Sequence, residues 1–213
     1  MTSTLSSEER ANTWTHLIAL VATLFTAWPL LHLSIRSQAA NPVFQIVGTV
    51  LFLIGAILMY GSSTLYHVAV DATHKARLRI FDHVSIYVMI AGSYSIICLS
   101  VVAGWVGWTL FAFLWACVLA GAIGKFIALG KYPRLSLALY LAMGWAALLI
   151  IVPMWRNMPR SAFWWVLAEG VFYSIGAYFF KHDEEHAFYH AIWHVFIMFG
   201  SMSHTIAMWH IMQ

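Results

Sequence analysis

The chain has 213 residues, of which 62% are hydrophobic and only 9% charged, and its mean hydropathy is +0.79. Soluble domains carry about 25% charged residues, so this composition belongs in a lipid bilayer and leaves no room for a soluble domain beside the spans. The net charge of +3 and isoelectric point of about 9.0 do not point to nucleic acid. The basic residues form no patch and sit between apolar segments, where they set topology.

The segment Met1–Asn12 carries Glu8, Glu9 and Arg10. It lacks the basic start and small-residue cleavage site of a signal peptide, so the first apolar segment is expected to stay as a span. Spans of about 20 apolar residues are predicted at 14–35, 43–68, 80–103, 106–127, 135–153, 161–180 and 187–211. The chain therefore reads as all-α, a single membrane domain over 1–213 with seven transmembrane helices and a short cytoplasmic segment at 1–13. The stretch from His83 to Ile123 holds no Asp, Glu, Lys or Arg and is long enough for two crossings. Gly104, Trp105, Val106, Gly107 and Trp108 mark the break between them. Asn41 and Pro42 open the second span, Pro133 precedes the fifth and Pro159 the sixth. Cys98 and Cys117 fall inside apolar segments and read as small buried hydrophobes, with no CxxC motif and no disulfide framework.

Charge counting fixes the expected direction. With the N-terminus inside, the inner segments hold Arg10, Lys75, Arg77, Arg79, Lys125, Lys131, Arg134 and Lys181, and the outer loops hold Arg36, Arg156 and Arg160. That asymmetry places the N-terminus in the cytoplasm and the C-terminus outside. Trp28, Trp105, Trp108, Trp155, Trp164, Trp165 and Trp209 then form an aromatic belt at the outer interface. No internal repeat supports an inverted-repeat transporter. Gly55, Ala56, Gly61, Ser62, Ala91, Gly92, Gly121, Gly124, Gly170 and Gly176 are expected to let the helices approach closely.

The polar residues inside these spans converge on one end. Ser63 and His67 are four residues, or about 400° of helix, apart and share a face at the inner end of the second span. Asp82 is expected a few residues into the third span on the same side. His190 and His194 lie one turn apart within the first two turns of the seventh. Ionisable groups inside a membrane are expensive, so a cluster at one depth marks a site. Three imidazoles beside a carboxylate suit zinc with an open coordination position: the i, i+4 pair can bring two nitrogens to one ion, and His67 makes three. Asp82 is placed to hold a metal-bound water or orient a ligand, and Ser63 to hydrogen-bond that water or the substrate. Glu9, Asn12 and His16 share one face of the first span at the same inner end. Capping is the alternative for Asn12, and a solvated charge for Glu9.

The other titratable residues read differently. His32, His204 and His210 are expected as helix–helix hydrogen-bond partners. His74, His182 and His186 sit in or beside loops, with His186 the substitute ligand because it continues the His190 and His194 spacing. His83 is expected to point about 100° away from Asp82. Glu169, near the middle of the sixth span, is protonated, paired with a polar neighbour or part of a proton or lipid path. It lies of order 10 Å too deep for the metal.

Four motifs together resemble the hemolysin III-type branch of the progestin and adipoQ receptor family, over nearly the whole chain. They are Glu9-x-x-Asn12-x-x-x-His16, Ser63-x-x-x-His67, the Phe81-Asp82-His83 opening of the third span and His190-Ala-Ile-Trp-His194. Tyr140-Leu-Ala-Met-Gly-Trp145 resembles the bacterial branch in particular. The resemblance implies seven helices and a zinc ion near the cytoplasmic face, with His67, His190 and His194 as ligands and Asp82 and Ser63 flanking the metal-bound water. The family includes adiponectin receptors and is thought related to alkaline ceramidases. It therefore implies a lipid amide or ester hydrolase with a role in membrane lipid or fluidity homeostasis. Glu169 departs from the small residue expected in relatives.

The leading expectation is a zinc-dependent intramembrane hydrolase of a multi-pass protein in a bacterial plasma membrane. Its partners would be membrane lipids and a lipid substrate or ligand entering between helices, with a homo-oligomer left open. The alternatives are a non-enzymatic sensor of membrane state with structural zinc, and a channel or cytolysin. Against the last stands the lack of a charged stripe along a pore.

Overall fold

Backbone N–H and C=O groups in hydrocarbon must be satisfied within their own segment. Every regular element among the described residues is accordingly helical. The computed structural model describes residues 5–128 and 131–213; residues 1–4 of the expected N-terminal segment lie outside these. Helices α1 (Ser7–Arg36), α2 (Pro42–Val68), α3 (Ala72–Ile96), α4 (Gly104–Ala128), α5 (Pro133–Gly144), α6 (Ile151–Asn157), α7 (Arg160–Lys181) and α8 (Tyr189–Met212) make up the bundle. Seven segments are long and apolar enough to cross a membrane, the fifth being α5 and α6 together.

Two helices start earlier than hydropathy predicts, and both for capping reasons. Ser6 Oγ accepts from the Glu9 N–H at 3.1 Å, the Ser-x-x-Glu signature of a helix start. Helix α1 therefore begins at Ser7, and Glu9, Asn12 and His16 lie on a regular helix. Asp71 accepts from the His74 N–H at 2.7 Å, so α3 starts at Ala72 rather than 80. Asp82 consequently sits about three turns into α3, not a few residues in.

Two spans are irregular. The third widens into a π-helical stretch, Ile97–Val102, closed by the Ala103 N–H donating to Cys98 O at 3.0 Å. Ala103 and Gly104 then take φ of 51° and 57°, the left-handed reversal that glycine tolerates. The predicted break at Gly104 is found there. The fifth span is interrupted by a 3-10 stretch, Trp145–Ile150. Its cause is tertiary: the Tyr94 hydroxyl donates to Gly144 O at 2.5 Å and accepts from the Ala147 N–H at 2.7 Å. A side chain inserted into the ladder breaks the α-helical pattern.

Helix α2 packs along α1 and α3, α8 packs against α1 and α7, and α5 bridges α3 to α7. These contacts close a ring, with α4 outside it against α3. The α2–α3 seam depends on small residues. A Cβ on Gly48 would stand 2.5 Å from Ile96 Cα, and one on Gly92 2.7 Å from Leu51 O. Gly55 and Gly92 were expected in close packing, whereas Gly61 and Gly124 have nothing within 4 Å of a Cβ. Gly48→Ala is expected to lower stability by about 1–3 kcal/mol, because the opposing atoms are backbone and cannot swing aside. Thermal unfolding in detergent beside Gly61→Ala measures it, and equal melting of the two variants would refute the seam.

Candidate metal centre

The three histidines come from two helices that meet at one end of the bundle. His67 closes the last turn of α2, and His190 and His194 occupy the first two turns of α8. Each imidazole offers a ligand atom, and the three atoms lie within 4.8 Å of one another. His67 and His194 are buried and His190 half-buried.

The outer side of each ring is anchored. His67 Nδ1 donates to Glu9 Oε2 at 2.6 Å, and His190 Nδ1 donates to Asp183 Oδ2 at 2.6 Å. Thr15 Oγ1 lies 3.0 Å from His194 Nδ1 and donates its own hydrogen toward the Ala11 carbonyl at 3.0 Å. It therefore accepts from the His194 Nδ1–H. Carboxylates and an already donating hydroxyl can only accept, so all three rings carry their hydrogen on Nδ1. The Nε2 lone pairs then face one another, and all three Nε2 atoms are buried without a hydrogen-bond partner. Buried imidazole nitrogens are rarely left unpaired. Three of them converging, each fixed from behind by an acceptor, is the arrangement that suits a metal ion. The donor set fits one.

The remaining expected site residues surround this triad. Ser63 is buried one turn before His67, with an Oγ that has no partner. Asp82 is buried too and is not one of the converging ligands. His83 does not point away from it as expected: His83 Nδ1 lies 3.4 Å from Asp82 Oδ2, while donating to Arg79 O at 2.8 Å. His16 stacks on His194 with ring centroids 3.5 Å apart and meets Tyr60 edge-on. Asn12 Oδ1 is buried nearby on α1 without a partner. Glu9 is no solvated charge: its second oxygen accepts from Lys75 Nζ at 2.5 Å.

Sequence reasoning missed Asp183 and Thr15. Asp183 lies in the run His182-Asp183-Glu184-Glu185-His186, which reads as an ordinary solvated turn, and a threonine in an apolar helix carries no signal. His186 is exposed and outside the cluster.

An apolar cavity with about 1190 Å³ of empty space, its mouth included, is bounded by α3, α5, α7 and α8, and none of the three histidines lines it. Phe180 and Trp193 in its wall lie against His190, with centroids 6.1 and 4.8 Å away. Glu169 lines its deeper part and pairs with His204, Nδ1 to Oε2 at 2.8 Å. Pairing with a polar neighbour is thus the outcome for Glu169, and helix–helix bonding the outcome for His204. Glu169→Ala should cost about 3–5 kcal/mol, since it strands a buried partner, while a Glu169→Leu/His204→Leu double variant should cost much less. Thermal melts of the two variants decide this, and equal losses would contradict the pairing.

Seven membrane-crossing helices around a three-histidine cluster define a multi-pass integral membrane protein with a site able to hold a metal. The family model described as "Haemolysin-III related" matches residues 5–205, and the chain belongs to that family. It is 34% identical to Hemolysin-3 of Bacillus cereus over 194 residues, covering 91% of this chain and 87% of that one. The Hemolysin-3 homolog of Bacillus subtilis (strain 168) is also 34% identical, over 91% and 89%. The human Monocyte to macrophage differentiation factor is 27% identical, over 95% of this chain and 83% of that protein. No solved structure matches. The bacterial relatives agree with a plasma-membrane location.

Proposed function

We propose that this protein is a zinc-dependent intramembrane hydrolase of lipid amide or ester bonds, acting in membrane lipid homeostasis from the cytoplasmic face. The observation that carries this reading is the set of three unpartnered Nε2 atoms, each anchored through Nδ1, with Phe180 and Trp193 between His190 and an apolar cavity. Three nitrogen ligands leave a fourth position open, as in catalytic rather than structural zinc sites. Zinc held there supplies Lewis acidity toward water and toward an acyl carbonyl. The cavity takes the acyl chain and brings the scissile bond to the triad. Asp82 accepts a proton from the attacking water at its carboxylate. Ser63 Oγ, free of protein partners, donates to the substrate carbonyl or to that water. Glu9, Asp183 and Thr15 hold the three Nδ1–H groups and so keep the Nε2 lone pairs aimed inward. The excess of Lys and Arg at the triad end supports the cytoplasmic orientation.

The test is release of free fatty acid from ceramide and from phospholipid by purified protein in liposomes, followed by mass spectrometry. Release that stops with chelation and in His190→Ala supports the proposal, and release that survives both refutes it. A second reading has its own observation: α1, α2, α8 and the turn at Asp183 all meet at the triad, so a metal there ties four segments together. A structural metal in a membrane-state sensor predicts a large fall in melting temperature on chelation with no turnover of any lipid.

A further inference from the structure

We propose that the groove between α4 and α5, at the triad end of the bundle, binds the phosphate of an anionic membrane lipid through Lys125. Lys125 lies three residues before the end of α4, about 4.5 Å along the axis. It is only 6% exposed. Its Nζ donates to Ser136 Oγ at 2.7 Å and lies 5.8 Å from the Tyr140 ring centroid. Among the described residues no carboxylate lies within 4 Å of it, although Glu9, Asp82, Asp183 and Glu169 all have close basic partners. An ammonium has three donors, and a buried cation without a counter-ion is unfavourable.

The groove offers what an anion needs and what a lipid needs. Helix α5 starts at Pro133 with no side-chain cap. Its first-turn N–H groups at Arg134 and Leu135 therefore lack intrahelical acceptors and face the same end as Lys125. Deeper than Lys125 the walls are apolar, with Ala120 and Gly121 on α4 and Leu139 and Met143 on α5, around about 670 Å³ of empty space. Helices α4 and α5 follow one another in the chain, yet each leans on α3 and they hardly touch. In a bilayer that gap opens sideways to lipid. Basic pockets between transmembrane helices at headgroup level are recognised sites for phosphate-bearing lipids. A free phosphate would use Lys125 but not the apolar floor, so the geometry favours the lipid.

The experiment uses delipidated protein in a neutral detergent, with phosphatidylglycerol, phosphatidylcholine or inorganic phosphate added, read by native mass spectrometry and thermal melting. Phosphatidylglycerol is expected to bind at one tight site and raise the melting temperature, and neither phosphatidylcholine nor inorganic phosphate to do so. Lys125→Met should weaken that site about fivefold or more, and Lys125→Arg should keep it. Gly124→Leu leaves the cation in place but fills the groove, where nothing lies within 4 Å of a Cβ, and should also weaken it. Undiminished phosphatidylglycerol binding by Lys125→Met, or by both Gly124→Leu and a poorly folding Lys125→Met, overturns the site. Saturation by inorganic phosphate alone overturns the lipid as its occupant.

Discussion

Asp82→Asn is expected to keep the metal ion and lose the hydrolysis, with lipid turnover falling about 100- to 10,000-fold, the usual contribution of a general base. The reasons are positional. Asp82 is buried on α3, where its carboxylate lies 3.4 Å from His83 Nδ1, and it is not one of the three converging ligands. The amide keeps the shape of the carboxylate but cannot accept a proton from water. Zinc content and fatty-acid release, measured on the same preparation, separate the two roles. Loss of metal in Asp82→Asn would make Asp82 a ligand, and full activity would remove it from the chemistry.

The second large effect concerns residues that never touch the metal. Glu9→Ala and Asp183→Ala are each expected to weaken zinc binding about 10- to 100-fold. Without its acceptor, the His67 or His190 ring is free to rotate and to place its hydrogen on Nε2, which then cannot bind a metal. Glu9 also holds Lys75 at 2.5 Å, so its loss leaves that ammonium beside His67 without its counter-ion and should produce the larger effect. Competition with a chromogenic chelator gives the affinities. Wild-type affinity in Asp183→Ala would mean that the 2.6 Å contact with His190 does not orient the ring.

Much of this was legible in the chain because membrane sequences are simple. Apolar runs of fixed length gave seven spans, and the only polar groups inside them had to be explained. Helical spacing put Ser63 one turn from His67 and His190 one turn from His194, and matched Glu9 to His16, before any contact was known. What stayed hidden depends on contacts between distant segments. The Tyr94 hydroxyl that breaks the fifth span comes from α3, 50 residues before the Gly144 carbonyl it reaches. The pairing of Glu169 with His204 spans two helices, and each residue alone looked like an isolated polar oddity. Asp183 looked like turn chemistry, and Lys125 like a topology charge, because neither the site it faces nor the counter-ion it lacks can be read from neighbours in sequence. Helix starts at Ser7 and Ala72 were missed for a simpler reason: hydropathy marks the apolar part of a helix, whereas Ser6 and Asp71 cap the polar turns that precede it.

The most direct measurement is metal content by elemental analysis of purified protein, wild type beside His190→Ala/His194→Ala. About one zinc per chain in the wild type and none in the double variant is the expected result, since three Nε2 atoms converge and two of them are removed. No metal in the wild type, or the same metal in both, would contradict the triad as a metal centre and leave its histidines as partners between helices.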